Sequence, residues 1–346
     1  MKELAERIRS SGRILLSTHK DPDGDGIGAL LALGMALGHA GHEVHAILPD
    51  PCPERFRFLD RDGILRQLPE GAKNIAHAID ERTAPGIDLA LIVDTHQWGL
   101  LGRLGEMLRA EQIPTQFLDH HPVDGGGRED VSGDPDASST GELVYRLLHS
   151  YLDLPIDEKI GLCLYTAVAY DTHSFRYVRN SPSPHLIAAE MLTRGVDAAH
   201  VYRHIFASNP VGKMRILGRI LREIHIEEDG RLAWAEVPLD WIREGEVSID
   251  DLRDAVNYLL EVEHVEVALL LKEVEGGEIR ISLRSKGRIA IHEIAQRLGG
   301  GGHPFAAGAT MYGALPAVRA SVLSLLTPLV RATEAIHCCH DGRPVR

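Results

Sequence analysis

Cysteine is nearly absent from this chain. The four in 346 residues stand at 52, 163, 338 and 339, without the paired spacing of a disulfide framework, so a disulfide-stapled extracellular scaffold is excluded. Cys163 lies in an apolar helix-like run, where a small thiol packs as a hydrophobe. Basic residues are outnumbered too: 37 Lys and Arg against 50 Asp and Glu leave a net charge of -13. A long phosphate backbone is bound through clustered cations, so no groove for long duplex nucleic acid is expected, whereas a small anionic substrate held by metal ions is compatible. No apolar run reaches membrane-spanning length, and residues 1–8 carry the charge pattern of an amphipathic helix, not of a signal peptide. No membrane partner and a cytoplasmic location are expected. Aromatics make up 5% of the chain, and neither a low-complexity tract nor a repeat interrupts it. The length suffices for two domains with their own cores.

What is present is organised around one turn. A strand-type run over 13–18 leads into His19-Lys20-Asp21-Pro22-Asp23-Gly24-Asp25-Gly26, and a helix rich in Ala, Leu and Gly follows over 27–40. One His and three Asp in seven positions repel one another unless a cation neutralises them. Glycines at 24, 26 and 28 let the backbone bend around an ion or phosphate. The same turn also reads as a polar helix start with Asp25 as N-cap, and alone it leaves both readings open.

Runs at 43–48, 88–94 and 115–118 are further strands, separated by helical segments, with helices also expected at 139–150, 157–170 and 184–206. This alternation predicts an α/β fold with a doubly wound, mainly parallel sheet. Parallel strands end on one side, where open α/β sheets bind ligands, so Asp23, Asp25, Asp94 and His120 are expected to meet at one sheet edge. The pattern breaks at 208–212. Strand-type runs at 231–237, 265–271 and 278–284 then alternate with helical ones near 249–260, 289–298 and 315–332, which predicts a smaller α+β domain. The expected organisation is a catalytic domain over 1–207, a linker over 208–217, a second domain over 218–335 and a disordered tail over 336–346. His337-Cys338-Cys339-His340 in that tail lacks ordinary zinc spacing.

Taken in order, His19-x-x-Pro22-Asp23-x-Asp25, strand-terminal Asp94, Asp119-His120-His121 and Asp171-Thr172 resemble the four motifs of the DHH phosphoesterase superfamily. Gly299-Gly300-Gly301-Gly302-His303-Pro304-Phe305-Ala306-Ala307-Gly308 is similar to the glycine-rich signature of the DHH-associated C-terminal domain, with Arg284-Ser285 upstream. The resemblance spans about residues 10–330 and points to the oligoribonuclease and pAp phosphatase branch. It implies two Mn²⁺ ions, with Mg²⁺ or Co²⁺ as substitutes: His19, Asp23 and Asp94 around one, Asp25, Asp94, His120 and Asp171 around the other, Asp94 bridging. Carboxylate and imidazole donors suit Mn²⁺, and two ions roughly 3.5–4 Å apart support in-line attack of hydroxide on phosphorus. His121 would orient the phosphate or assist proton transfer, with Asp119 fixing an imidazole tautomer. These two and Asp94 form the expected catalytic set. Arg284, Ser285, Gly300, Gly301, Gly302 and His303 would grip a phosphate or nucleotide.

The implied activity is hydrolysis of short oligoribonucleotides (nanoRNA) to mononucleotides and of 3′-phosphoadenosine 5′-phosphate (pAp) to AMP, by a homodimer. A cyclic or linear dinucleotide phosphodiesterase of the c-di-AMP type is the alternative, and a nucleotide-binding regulator without turnover is the alternative of another class. His96 and His173 each follow a motif Asp by two positions and are candidates to lie near the ions; relatives usually have Gly at 173. Gly26, where relatives carry Ala or Ser, is expected to matter little for metal binding. Asp21 is expected to cap or support. Arg103, Ser139, Thr140 and Arg176 resemble cleft positions, yet helix capping and surface ion pairs explain them equally well.

Overall fold

In the first part of the chain the strand-type runs become one parallel sheet. Its strands are β1 (Arg13–Ser17), β2 (Glu43–Leu48), β3 (Leu65–Gln67), β4 (Leu89–Val93), β5 (Thr115–Asp119) and β6 (Val131–Gly133). They lie in the order β3-β2-β1-β4-β5-β6, every neighbouring pair parallel. The computed structural model that shows this describes residues 1–79, 86–123, 128–179 and 181–333, so the expected tail and its His-Cys-Cys-His run lie outside the described residues. The chain divides into two units, Met1–Ser208 and Asn209–Arg346.

Side chains alternate between sheet faces. Ile14, Leu16, Leu91 and Val93 pack with helices Gly24–His39 and Glu158–Asp171, while Leu15, Ala90, Ile92 and Phe117 pack with Gly102–Ala110 on the other side. A parallel sheet covered on both faces follows. Strand order reverses between β1 and β4, and at such a switch point a crevice opens beyond the carboxyl ends. Helix Gly24–His39 is buried from Gly24 through Leu37. It lies so close to Glu158–Asp171 that a Cβ on Gly28 would stand 2.6 Å from the Cys163 carbonyl oxygen.

Two expectations need correction. The stretch 184–206 is two helices, Ser183–Thr193 and Ala198–Ile205. Gly195, at φ +99°, follows the first, and the Asp197 carboxylate caps the second by accepting from His200 N at 3.0 Å. Most of the linker expected over 208–217 is helix as well, because Val211–Arg222 continues through it and buries Ile216, Leu217 and Ile220.

The second unit carries β7 (His225–Glu227), β8 (Leu232–Val237), β9 (Val267–Glu273), β10 (Glu278–Ser285), β11 (Gly301–His303) and β12 (Ala306–Tyr312), ordered β11-β12-β10-β9-β8-β7. Only β8 and β9 pair in parallel. Helices Val211–Arg222 and Ala255–Leu260 cover one face. Leu315–Ala332 covers the other through a stripe of Leu315, Val318, Val322, Leu326 and Val330. By length and composition alone this last helix is long and apolar enough to cross a membrane, where no such run was expected.

Candidate metal centre

Three strand ends deliver the cluster. β1 hands over through Thr18 to His19, β4 turns at Asp94 with φ +63°, and β5 ends on Asp119, followed by His120 and His121. Asp25 comes from the first turn of Gly24–His39, and Asp171 is the last residue of Glu158–Asp171. The N-cap is Asp23 and not Asp25: the Asp23 carboxylate accepts from Asp25 N and Gly26 N at 3.1 and 3.3 Å. The buried Asp25 carboxylate accepts instead from Thr140 N (2.6 Å) and Gly141 N (2.8 Å).

The donor atoms form two groups. His19 Nε2 stands 3.4 Å from Asp94 Oδ2 and 4.0 Å from Asp23 Oδ1. His120 Nε2 stands 3.3 Å from Asp171 Oδ2, 3.8 Å from Asp25 Oδ2 and 3.8 Å from Asp94 Oδ1. Asp94 thus turns one oxygen to each group. Both imidazoles place Nδ1 against a backbone carbonyl, His19 at Lys20 O (2.7 Å) and His120 at Ala137 O (3.3 Å), which leaves Nε2 facing the acids. These donor spacings exceed a good hydrogen bond. Around a small dication with bonds of about 2.1 Å, neighbouring donors stand about 3 Å apart or slightly more.

A Cβ on Gly26 would come within 2.5 Å of Thr18 Oγ1 and 3.2 Å of Asp94 Oδ2. Position 26 therefore borders the first group directly. Thr18 Oγ1 is itself buried without a hydrogen-bond partner among the described residues. A donor set of carboxylates and imidazoles, with an orphaned hydroxyl beside it, fits divalent cations.

The electrostatics agree. Burial and the charges of neighbouring carboxylates hold Asp25 and Asp94 well above the usual carboxylate range. Burial, with Asp23, pushes Asp171 up to about 6. A carboxyl whose pKa is raised by folding stabilises the fold fully below its unfolded value, near 3.8 for Asp171, and that contribution is lost as pH rises through about 6. Chelated protein is expected to lose thermal stability over this interval, and added Mn²⁺ to raise Tm more near pH 7 than near pH 5. Calorimetric scans in a chelator and in Mn²⁺ check this; a chelated protein that gains stability over the interval would contradict it.

Asp119 behaves oppositely. Burial opposes its charge, but hydrogen bonds from two imidazoles hold it well below the usual range. Its Oδ1 lies 2.7 Å from His121 Nδ1 and its Oδ2 2.5 Å from His96 Nδ1. Burial also disfavours a His121 cation, yet the charge and hydrogen bond of Asp119 push His121 up to about 9. The His121 ring stands beside the acid cluster, with Asp94, Asp119 and His121 each offering an atom within 4.8 Å of the others.

In the second unit, Arg284 is half-buried near the end of β10 and Ser285 is its buried last residue. Register pairs Arg284 with Ala306 and Ala306 with His303, so Arg284 and His303 sit level, two strand spacings or about 10 Å apart. The glycine run is not an open loop. Gly299 N and Gly300 N donate to Gln296 O (2.9 Å) and Ala295 O (2.8 Å), closing the helix His292–Arg297. That corrects the expectation of a free Gly300 amide for an anion. A Cβ on Gly300 or Gly302 would meet the carbonyl of Gly308 at 2.0 Å or of Ala306 at 2.5 Å, so hairpin packing alone demands glycine at both. β11 is the sheet edge, which leaves outward amides among Gly301, Gly302 and His303. Beside Gly300 lies a cavity of about 370 Å³ lined by Arg253, Lys272, Arg280, Ser282 and Thr310.

Some residues act differently from expectation. Thr140 supports the acids directly, its N on Asp25 and its Oγ1 donating to Asp94 Oδ1 at 3.0 Å, while Ser139 takes the capping role by accepting from Glu142 N. The sequence there reads equally as a cleft position and as a helix start. His96 reaches the site through Asp119 and not as part of either donor group. Arg103 donates to the carbonyls of Pro69 and Ala72. Asp21 is exposed, and its amide donates to Asp50 Oδ2 at 2.8 Å.

Known proteins resemble this chain over most of its length. The family profile described as DHH family, N-terminal domain, matches residues 13–168, and that described as DHHA1 domain matches 232–327. The bifunctional oligoribonuclease and PAP phosphatase NrnA of Thermus thermophilus is 29% identical over 320 residues, 90% of this chain and 89% of that protein. The Bacillus subtilis NrnA is 23% identical over 317 residues, covering 90% and 93%. The cyclic-di-AMP phosphodiesterase GdpP of Geobacillus thermodenitrificans is 28% identical over 87% of this chain but 45% of its own length. Among solved structures, an exopolyphosphatase-related protein of Bacteroides fragilis has a TM-score of 0.84 over 95% of this chain and 96% of its own, at 24% identity. That likeness shows a shared fold.

Proposed function

This chain belongs to the DHH phosphoesterase superfamily, a DHH domain followed by a DHHA1 domain, and on that footing we propose that it hydrolyses short oligoribonucleotides to mononucleotides and pAp to AMP. The observation that carries a metal-dependent hydrolase is the Asp94 carboxylate, which turns Oδ2 to the His19 group and Oδ1 to the His120 group. NrnA proteins of two organisms, matched over nine-tenths of this chain, support the substrate class. The net charge of -13 favours a small substrate over a polymer.

In this reading His19, Asp23 and Asp94 would hold one Mn²⁺, and Asp25, Asp94, His120 and Asp171 would hold another, with Mg²⁺ or Co²⁺ as substitutes. Bound there, the ions supply the Lewis-acid charge that polarises phosphoryl oxygen and attacking water. Thr140 and Gly141 amides fix the Asp25 carboxylate, and Thr140 Oγ1 orients Asp94. Asp119 keeps the proton on His121 and sets its ring, so Nε2–H can pass a proton to the departing oxygen. Arg284, Ser285, His303 and the amides of Gly301 and Gly302 take the distal phosphate, the guanidinium fork matching two of its oxygens. A cytoplasmic homodimer without membrane attachment completes the proposal.

The similarity to GdpP over 87% of this chain favours one alternative, a phosphodiesterase for cyclic dinucleotides or their linear products. A regulator without turnover fits less well, since every acid and imidazole of the two donor groups is present. Purified protein supplied in turn with pAp, a linear diribonucleotide, c-di-AMP and pyrophosphate, each with Mn²⁺, Mg²⁺ and Co²⁺, separates the readings. AMP from pAp and mononucleotides from the diribonucleotide are expected to dominate. Preferred turnover of c-di-AMP would shift the substrate, and no product from any of them would remove the hydrolase.

A further inference from the structure

Next to the acid cluster runs a turn that the hydrolytic chemistry leaves unexplained. Beyond Glu158–Asp171, the residues His173, Ser174 and Phe175 have φ of +49°, +58° and +66°. Three successive left-handed residues, none of them glycine, crowd each Cβ against the following carbonyl. The turn is firmly held. Thr172 Oγ1 donates to Val168 O (2.6 Å) and accepts from Phe175 N (3.0 Å), Ser174 N donates to Ala169 O (2.7 Å) and Tyr177 N to Thr172 O (3.0 Å). The Phe175 ring is fixed between Tyr165 and His185, at centroid distances of 5.6 and 5.5 Å.

What this anchored turn presents is a pair of rings. His173 is half-buried and Tyr177 is 51% exposed; their centroids lie 5.8 Å apart at 72°, edge to face. His173 follows Asp171 by two residues, and Asp171, the last residue of its helix, has Oδ2 3.3 Å from His120 Nε2, so the turn that carries the two rings begins at the acid cluster. The backbone does not require an imidazole at 173, since glycine adopts this φ without steric cost.

We propose that His173 and Tyr177 form a stacking platform for the nucleobase of the substrate, at the rim of the acid cluster. The inference rests on the nucleotide reading above and sharpens it. Every base offers a π face to an aromatic ring, so the platform separates nucleotides from base-free phosphoesters without choosing among bases.

The test compares pAp with base-free ribose 3′,5′-bisphosphate in the wild type and in His173→Gly, Tyr177→Ala and Tyr177→Phe. The KM advantage of pAp over the base-free compound is expected to shrink about tenfold in the first two variants and to be restored by Tyr177→Phe. His173→Gly should keep or raise Tm, because it relieves a left-handed residue. A second readout needs no turnover: in a chelator, a 2-aminopurine analogue of pAp is expected to lose fluorescence on binding the wild type and to keep it with Tyr177→Ala. An unchanged KM ratio in both variants, or no quenching by the wild type, would overturn the platform. Quenching by a wild type that hydrolyses nothing would instead overturn the hydrolase reading and leave the platform standing.

Discussion

Asp94→Asn is expected to lower kcat by about 10³-fold or more, while raising the thermal stability of the chelated protein. Both effects follow from one carboxylate that serves two donor groups. The side chain stands in left-handed backbone at φ +63°, which asparagine tolerates and alanine does not, so the amide keeps the turn and can still accept from Thr140 Oγ1. What disappears is a negative charge among Asp23, Asp25 and Asp171: repulsion from Asp23 and Asp171 helps to raise the Asp94 pKa, and repulsion from Asp94 helps to raise that of Asp25. Steady-state rates with Mn²⁺ and melting in a chelator provide the two measurements. Retention of more than about a tenth of wild-type kcat would show that the ions do not share this residue.

His121→Gln is expected to reduce kcat about 10²- to 10⁴-fold, the range for loss of a positioned proton donor, with KM for pAp little changed. The imidazole is 41% exposed, whereas its partner Asp119 is 1% exposed, so the substitution stays clear of the core. Asp119 holds the His121 ring through Oδ1 and the His96 ring through Oδ2, and if its catalytic part runs through His121, Asp119→Asn should show a similar kcat loss that does not add to that of His121→Gln. Additive losses would separate the two side chains. A rise in KM with kcat intact would make His121 a binding residue.

How much of this was legible in the sequence varies with the physics of each part. β1, β4 and β5 are apolar runs that end in acids or imidazoles, and both the strands and their convergence could be read from that pattern. β3 and β6, Leu-Arg-Gln and Val-Ser-Gly, are three-residue edges too short to carry a period. The exchange of capping between Asp23 and Asp25 was not readable: two carboxylates two positions apart compete for one helix start. What decides the matter is a pair of amides, at Thr140 and Gly141, more than a hundred residues downstream. Thr18 was hidden for the same reason, since only the fold brings it to Gly26; His96 was marked by its place two residues after Asp94, but its contact with Asp119 comes from the fold. The glycine run at 299–302 misled in the opposite direction, because the helix before it and the hairpin after it claim amides and space that composition leaves free.

The helix that begins at Gly24 carries the acidic turn on a rod enclosed by protein from Gly24 to Leu37. Backbone so enclosed belongs to the part of a fold that opens last, when the whole unit unfolds. Asp23 and Asp25 are therefore moored to an element that holds its place while surface loops breathe.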